Sequence, residues 1–297
     1  MIRRIPIRFG STRGAFPLGG AALAAVTILG ASPLAAQTPR ASLYDKYQFD
    51  LSATTLVLNS KVRIDTNERP GTEVDVEDDL GLPTTRLQPR GSFRWRPGRT
   101  HELEVGYQFV RREGEKLLQR TIDFGDDTFE AGREVHSELD ADQLFLVYRW
   151  AFVAKERSQY GLGAAAGILY VDVGIDGTAQ IDSSEVEASP SKSINAPVGS
   201  LGFYGRWLAG DRWFFQADLR FIAASISRFD GQVFETGAAA RFFIERWIGI
   251  EAGYAFSDID LDVGPRTRRT DEQGIFSGTV AYSLHNARLG LVFVPWS

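Results

Sequence analysis

The chain has 297 residues, 43% hydrophobic and 12% aromatic, which fits a folded protein and excludes a disordered one. Its 38 acids exceed its 33 bases, and that balance argues against general nucleic-acid binding. It holds no cysteine, so an exported form cannot rely on disulfides.

Residues 1–36 read as a secretory signal. "MIRRIPIRFGSTRG" carries Arg3, Arg4, Arg8 and Arg13 and no acid; an apolar run and the small residues of "SPLAAQ" follow. We place cleavage after Ala36. The apolar run is shorter than the ~20 residues of a membrane-spanning helix. The Arg3–Arg4 pair hints at twin-arginine export, but the rest of that signal is missing. Removing these four arginines leaves 29 bases against 38 acids, a mature charge of −9. Residues 37–45 form a short polar periplasmic leader.

From residue 46 the chain alternates with a period of two, the mark of β-strands with two unlike faces. "YQFDLSATTLVL" sets Tyr47, Phe49 and Leu51 against Gln48, Asp50 and Ser52. "RLQPRGSFRWRP" sets Leu87, Phe93 and Trp95 against Arg86, Arg90 and Arg94, with Arg96 opening a turn. "HELEVGYQF" sets Leu103, Val105, Tyr107 and Phe109 against Glu102, Glu104 and Gln108. The alternation continues through "QLFLVYRWAF", "YGLGAAAGILY", "PVGSLGFYGRW", "WFFQADLRF", "VFETGAAARFFI", "IGIEAGYAF" and "ARLGLVFVPWS". No stretch sustains a helical period, so the fold is all-β.

The connections alternate in kind. Short turns occur at 96–100, 153–158, 208–212 and 244–247. Mostly longer, polar connections are expected at 61–83, 112–133, 174–193, 226–232 and 257–273. The segment 115–147 reads as one hairpin projecting past a bilayer and turning near Gly125–Asp127; 60–78 is a similar ribbon. The rhythm gives an up-and-down antiparallel transmembrane β-barrel of about ten strands, eight or twelve being the neighbouring counts. Trp95, Trp150, Trp207, Trp213 and Trp247, five of the six tryptophans, lie beside the short turns, as an aromatic girdle at a bilayer interface would. A soluble sandwich would also alternate, but its turns would follow no length rule.

The signal, the amphipathic strands of ~10 residues and the alternating turns resemble Gram-negative outer-membrane β-barrels. The likeness is to the small-barrel group that includes the OmpA transmembrane domain, OmpW and the opacity proteins. It covers residues 46–297 as a pattern, without a residue motif. It implies an outer-membrane location, contact with membrane lipid and lipopolysaccharide, delivery by the barrel-assembly machinery and a monomer. Such chains usually end in Phe; this one ends Phe293-Val294-Pro295-Trp296-Ser297.

A ten-stranded barrel sits near the filled end of the size range. Its lumen should carry a charge ladder of Arg86, Arg90, Arg94, Glu102, Glu104, Asp50, Asp218, Arg220, Glu235, Arg241 and Glu251. The expected role is structural or surface-interacting, around a narrow charge-networked lumen. The main rival is an anion-preferring small-solute channel, and an outer-membrane hydrolase is a distant third. His136, with Glu138, Asp140 and Asp142 at two-residue spacing, could form an acid–base cluster; a solvated acidic strand is the plainer reading. The chain is similar to omptin proteases in size and strand number, but their paired Asp–Asp and Asp–His elements are not found together here. No metal, cofactor or catalytic residue is assigned. The acidic runs Asp75, Glu77, Asp78, Asp79 and Asp258, Asp260, Asp262 read as solvated loops, with cation bridging to lipopolysaccharide the sharper option. Arg266, Arg268 and Arg269 could touch lipid phosphate.

Overall fold

The computed structural model describes residues 41–65, 71–124, 127–181, 184–226, 229–264 and 277–295. Fourteen strands form one sheet: β1 (Tyr47–Ile64), β2 (Glu73–Asp75), β3 (Thr85–Trp95), β4 (His101–Leu117), β5 (Ile122–Phe124), β6 (Asp127–Phe129), β7 (Glu134–Ala154), β8 (Ser158–Ile181), β9 (Ser184–Ala188), β10 (Ser191–Ala209), β11 (Trp213–Ile226), β12 (Phe229–Glu245), β13 (Ile248–Val263) and β14 (Gly278–Phe293). Ten of them close a ring in the order β1-β3-β4-β7-β8-β10-β11-β12-β13-β14. Every pairing in the ring is antiparallel, and β14 returns to β1 with Phe293 opposite Phe49. Closure pairs the backbone groups that an open sheet would leave at its edges. No helix among the described residues is long and apolar enough to cross a membrane.

The lower part of the ring is inverted relative to a soluble protein. Leu87 is 69% exposed and Leu51 58%, whereas Arg94 on the other face is 3% exposed. Higher up, the same strands change sense without changing parity. On β1 the inward residues run Gln48, Asp50, Ser52 and Thr54, then Leu56, Leu58, Val62 and Ile64. The outward ones run Tyr47, Phe49 and Leu51, then Asn59, Lys61 and Arg63. The upper half therefore has an ordinary hydrophobic core, in which Val62, Val74, Val76, Leu80, Leu82, Leu118, Ile122, Phe129, Val173 and Ile175 are buried together.

This corrects the expectation of long polar loops. A strand of about 9–11 residues spans a bilayer, yet β7 has 21 residues and β8 has 24. The segments assigned to connections at 174–193 and 226–232 are largely strand, and those at 61–83, 112–133 and 257–273 each begin as strand, through Ile64, Leu117 and Val263. Asp258, Asp260 and Asp262 lie on β13, facing out, because Ile259, Leu261 and Val263 between them face the core. The run Asp75–Asp79 is not a solvated loop either: Val74, Val76, Leu80 and Leu82 carry it into the barrel, and Glu77 is buried against Arg112. The expected projecting hairpin ends where Leu117 faces Glu134. Beyond it Leu118, Ile122, Phe124 and Phe129 turn inward, and β5 pairs with β6. Residues 1–40, with the expected signal, and Arg266, Arg268 and Arg269 lie outside the described residues, as do Gly125 and Asp126 of the expected turn.

The leader is more than a tether. Ala41 and Leu43, both almost fully buried, pack with Phe214, Phe243, Val292 and Val294 across the lower mouth. The Ala41 amide donates to Asp211 O at 2.9 Å, and Tyr44 Oη donates to Lys155 O at 2.6 Å.

Candidate functional site

The lower lumen is built from facing pairs of inward side chains. Strand register sets Arg94 opposite Glu104, Glu102 opposite Arg149, Arg220 opposite Glu235, and Arg241 opposite Glu251. Opposed residues on one face of a sheet stand close enough to bond. Arg149 Nη1 donates to Glu102 at 2.8 Å and to Glu104 at 2.7 Å. Arg220 Nε donates to Glu235 at 3.0 Å. Glu251 accepts from Arg241 Nε at 2.5 Å and from Arg288 Nε at 2.7 Å.

Glu102 is the hub. Arg206, on β10, reaches it from the far side of β7 and β8, and both guanidinium Nη atoms donate to the carboxylate at 2.6 Å. Arg94 lies 3.3 Å away through Nε, and Arg96 donates to the same carboxylate. Four arginines thus surround one glutamate. Arg206 is fully buried and also donates to Gln216 at 3.0 Å and Gln159 at 3.3 Å. A single side chain bridging non-adjacent strands means that the lumen is narrow at this level.

Asp50 sits between two arms of the network, 3.6 Å from Arg94 and 3.9 Å from Arg241. Above it lies a cavity of about 150 Å³, lined by Arg90, Arg94, Arg149, Arg220, Arg241, Arg288 and five carboxylates. Arg90 is loosely held, 4.0 Å from Glu104, with its guanidinium 5.0 Å over the Phe145 ring. Gly106 makes room for that ring: a Cβ there would meet Phe145 Cζ at 2.2 Å. A second, apolar cavity of about 60 Å³ follows higher up, with Gln108, Gln143 and Leu284 shared between the two.

Of the expected ladder, Arg90, Arg94, Glu102, Glu104, Asp50, Asp218, Arg220, Glu235, Arg241 and Glu251 face this lumen. Arg86 also faces inward but does not line the cavity, and its Nε is buried without a hydrogen-bond partner. Arg96 does more than open a turn: it is 5% exposed and keeps the even-numbered, inward parity of its strand. Arg149, Arg206 and Arg288 were not assigned to the ladder, although the alternation of their strands places them on the inward face. Trp95, Trp150, Trp207, Trp213 and Trp247 all point outward near the short turns, with Trp207 Nε1 donating to Tyr160 Oη at 2.7 Å.

The possible acid–base cluster lies elsewhere, on the outer face of the upper half. His136 Nε2 is 3.4 Å from Glu138 and its Nδ1 is 3.7 Å from Glu115. The structure does not bring Asp140 and Asp142 to it. Arg111 takes both, and Tyr107 Oη donates to Asp142 at 2.9 Å. Glu113, His136 and Glu138 have ligand atoms within 4.8 Å of one another and could hold a metal ion. His101 and His285 instead face outward, each bonded to a tyrosine hydroxyl, that of Tyr148 at 2.7 Å and of Tyr254 at 2.6 Å.

No family model matches the sequence, and no curated protein is similar to it by sequence. The fold does have relatives. The outer-membrane protease OmpT from Escherichia coli superposes with a TM-score of 0.54 at 10% identity, over 86% of this chain and 98% of that one. The chain has the fold of an outer-membrane β-barrel. Weaker likenesses to this barrel are the Yersinia pestis attachment invasion locus protein Ail (TM-score 0.32, 10% identity, 84% of this chain and 99% of that one) and AlkL (TM-score 0.36, 13% identity, 91% of this chain and 98% of that one). In the barrel, the lipid-facing band is the stretch where outward residues are apolar. On β4 it runs from Leu103 to Phe109 and ends at Arg111, above which Glu113 and Glu115 point to solvent.

Proposed function

We propose that the protein is a closed outer-membrane barrel with a structural and surface-interacting role in the cell envelope. The observation that supports this reading is side-chain packing across the lumen towards both ends. Ala41 and Leu43 fill the lower mouth. Val74, Val76, Leu80, Leu82, Leu118, Ile122, Phe124 and Phe129 pack the upper half with apolar side chains. Between them, the Arg206–Glu102 bridge crosses the lumen. A buried and hydrogen-bonded ion network of this kind is tolerable, whereas isolated charges would not be.

The long projecting half supplies the surface through which contacts would be made. The ring of outward charge at Arg111, Glu113 and Lys61 lies at its base, where lipopolysaccharide head groups would meet it. Insertion by the assembly machinery from a signal-bearing precursor, and function as a monomer, belong to the same reading. The rival reading is an anion-preferring channel, drawn from the same arginines. Planar-bilayer recording on the purified full-length barrel separates them. The closed barrel gives no stable current steps; reproducible anion-selective conductance overturns it.

A further inference from the structure

The lower lumen holds more positive than negative charge. Eight arginines meet there: Arg90, Arg94, Arg96, Arg149, Arg206, Arg220, Arg241 and Arg288. Six carboxylates answer them: Asp50, Glu102, Glu104, Asp218, Glu235 and Glu251. The formal excess is two positive charges among the described residues. Asp45, at the mouth, does not offset it, because Arg246 takes that carboxylate.

The excess is not spread evenly. Arg94 and Arg241 are each 3% exposed, and the Nη1 atom of each is buried with no hydrogen-bond partner. Both side chains flank Asp50 and both line the 150 Å³ cavity. Arg90, the most loosely held of the set, lines it too. Buried donors are normally satisfied, and an unsatisfied one is costly, more so when charged. Water could satisfy the N–H groups, but it carries no charge against the excess. The cavity has room for more than a single water. Guanidinium forks match planar or tetrahedral oxyanions.

We propose that this cavity is a binding site for one small oxyanion of the phosphate or carboxylate class, held by Arg90, Arg94 and Arg241. The anion completes the lumen network as its missing acid. The site does not depend on whether the barrel conducts, so its test reads binding and not current.

The full-length barrel is refolded from urea into detergent micelles and dialysed to equilibrium against graded sodium phosphate. Ionic strength is held constant with sodium chloride, whose anion is not an oxyanion. A parallel series uses sodium acetate. The expected result is saturable retention of close to one anion per chain in at least one series. Arg90→Gln should weaken retention at least tenfold, and Arg111→Gln, on the outer surface, should leave it unchanged. A stability readout guards against a variant that fails to fold: the urea midpoint of the unaltered protein should rise with the bound anion at fixed ionic strength. Absence of saturable retention in both series overturns the proposal. So does retention that Arg90→Gln leaves intact, or a urea midpoint indifferent to both anions.

Discussion

At the scale of single residues, the lumen turns on Glu102. A carboxylate offers about four acceptor positions, and here two oxygens serve Arg94, Arg96, Arg149 and Arg206. Glu102→Gln keeps the shape but removes the charge and points an amide donor at guanidinium groups. Breaking a buried pair by neutralising one partner costs about 3–5 kcal/mol. We expect a loss of that order in urea unfolding of the barrel in lipid vesicles, against less than ~0.5 kcal/mol for Arg111→Gln on the surface. A loss below ~1 kcal/mol for Glu102→Gln would mean that the arginines are satisfied without it. Strand parity makes half of this network legible in the sequence, because it fixes which face Arg94, Glu102, Glu104, Arg241 and Glu251 share. The bond from Arg206 is different in kind. It depends on how far apart two non-neighbouring strands stand, a distance that no local pattern encodes. Arg96 was hidden for a simpler reason: a residue one place past a strand reads as turn, although its parity still points in.

At the scale of elements, the leader shows how a short segment can be read only through what it touches. Residues 41–45 have no period, and their apolar positions, Ala41 and Leu43, are too few to suggest a core. The lower mouth supplies the missing surface. Burial then raises the Asp45 carboxyl above its usual value of 3.8, against the opposing pull of Arg246, and Asp45 Oδ2 has no hydrogen-bond partner. The native state therefore holds a proton more readily than the unfolded one. Stability from this group is greatest below 3.8 and declines as pH rises through the raised native value. Asp45→Asn should accordingly increase the urea midpoint at pH 7 and lose its advantage near pH 3.5. An Asn variant that is less stable at pH 7 would show the Arg246 pair to dominate. The segment 73–82 teaches a related lesson. Its acids suggest a solvated loop, yet the alternate residues Val74 and Val76 lead it into the core, and Arg112 reaches Glu77 there. Alternation announces two faces, but it does not say which solvent each face meets.

At the scale of the whole molecule, the barrel is two proteins in one wall: membrane-type below and soluble-type above, on continuous strands. The period of two makes the ring of ten strands legible, together with the short turns. Part of the strand beyond the bilayer was legible, as the projecting segments 60–78 and 115–147, but 174–193, 226–232 and 257–263 were misread as loop because outward polar residues there look like loop chemistry. The chain has no cysteine, so single cysteines report position cleanly. Asp260→Cys, on the outward face of the upper half, should react with a membrane-impermeant maleimide added to intact cells. Lys155→Cys, at a short turn, should react only after the envelope is opened. The reverse pattern would turn the barrel upside down. The change of sense along each strand has one more consequence. A uniformly greasy cylinder could ride higher or lower in a bilayer at small cost, but here the outward face passes from Leu103–Phe109 to Arg111 within one further inward–outward step. Any vertical shift would draw a collar of charge into hydrocarbon on one side or lift aromatic rings into water on the other. The wall thus carries its own waterline, and the depth at which the protein floats is written into the same strands that hold it together.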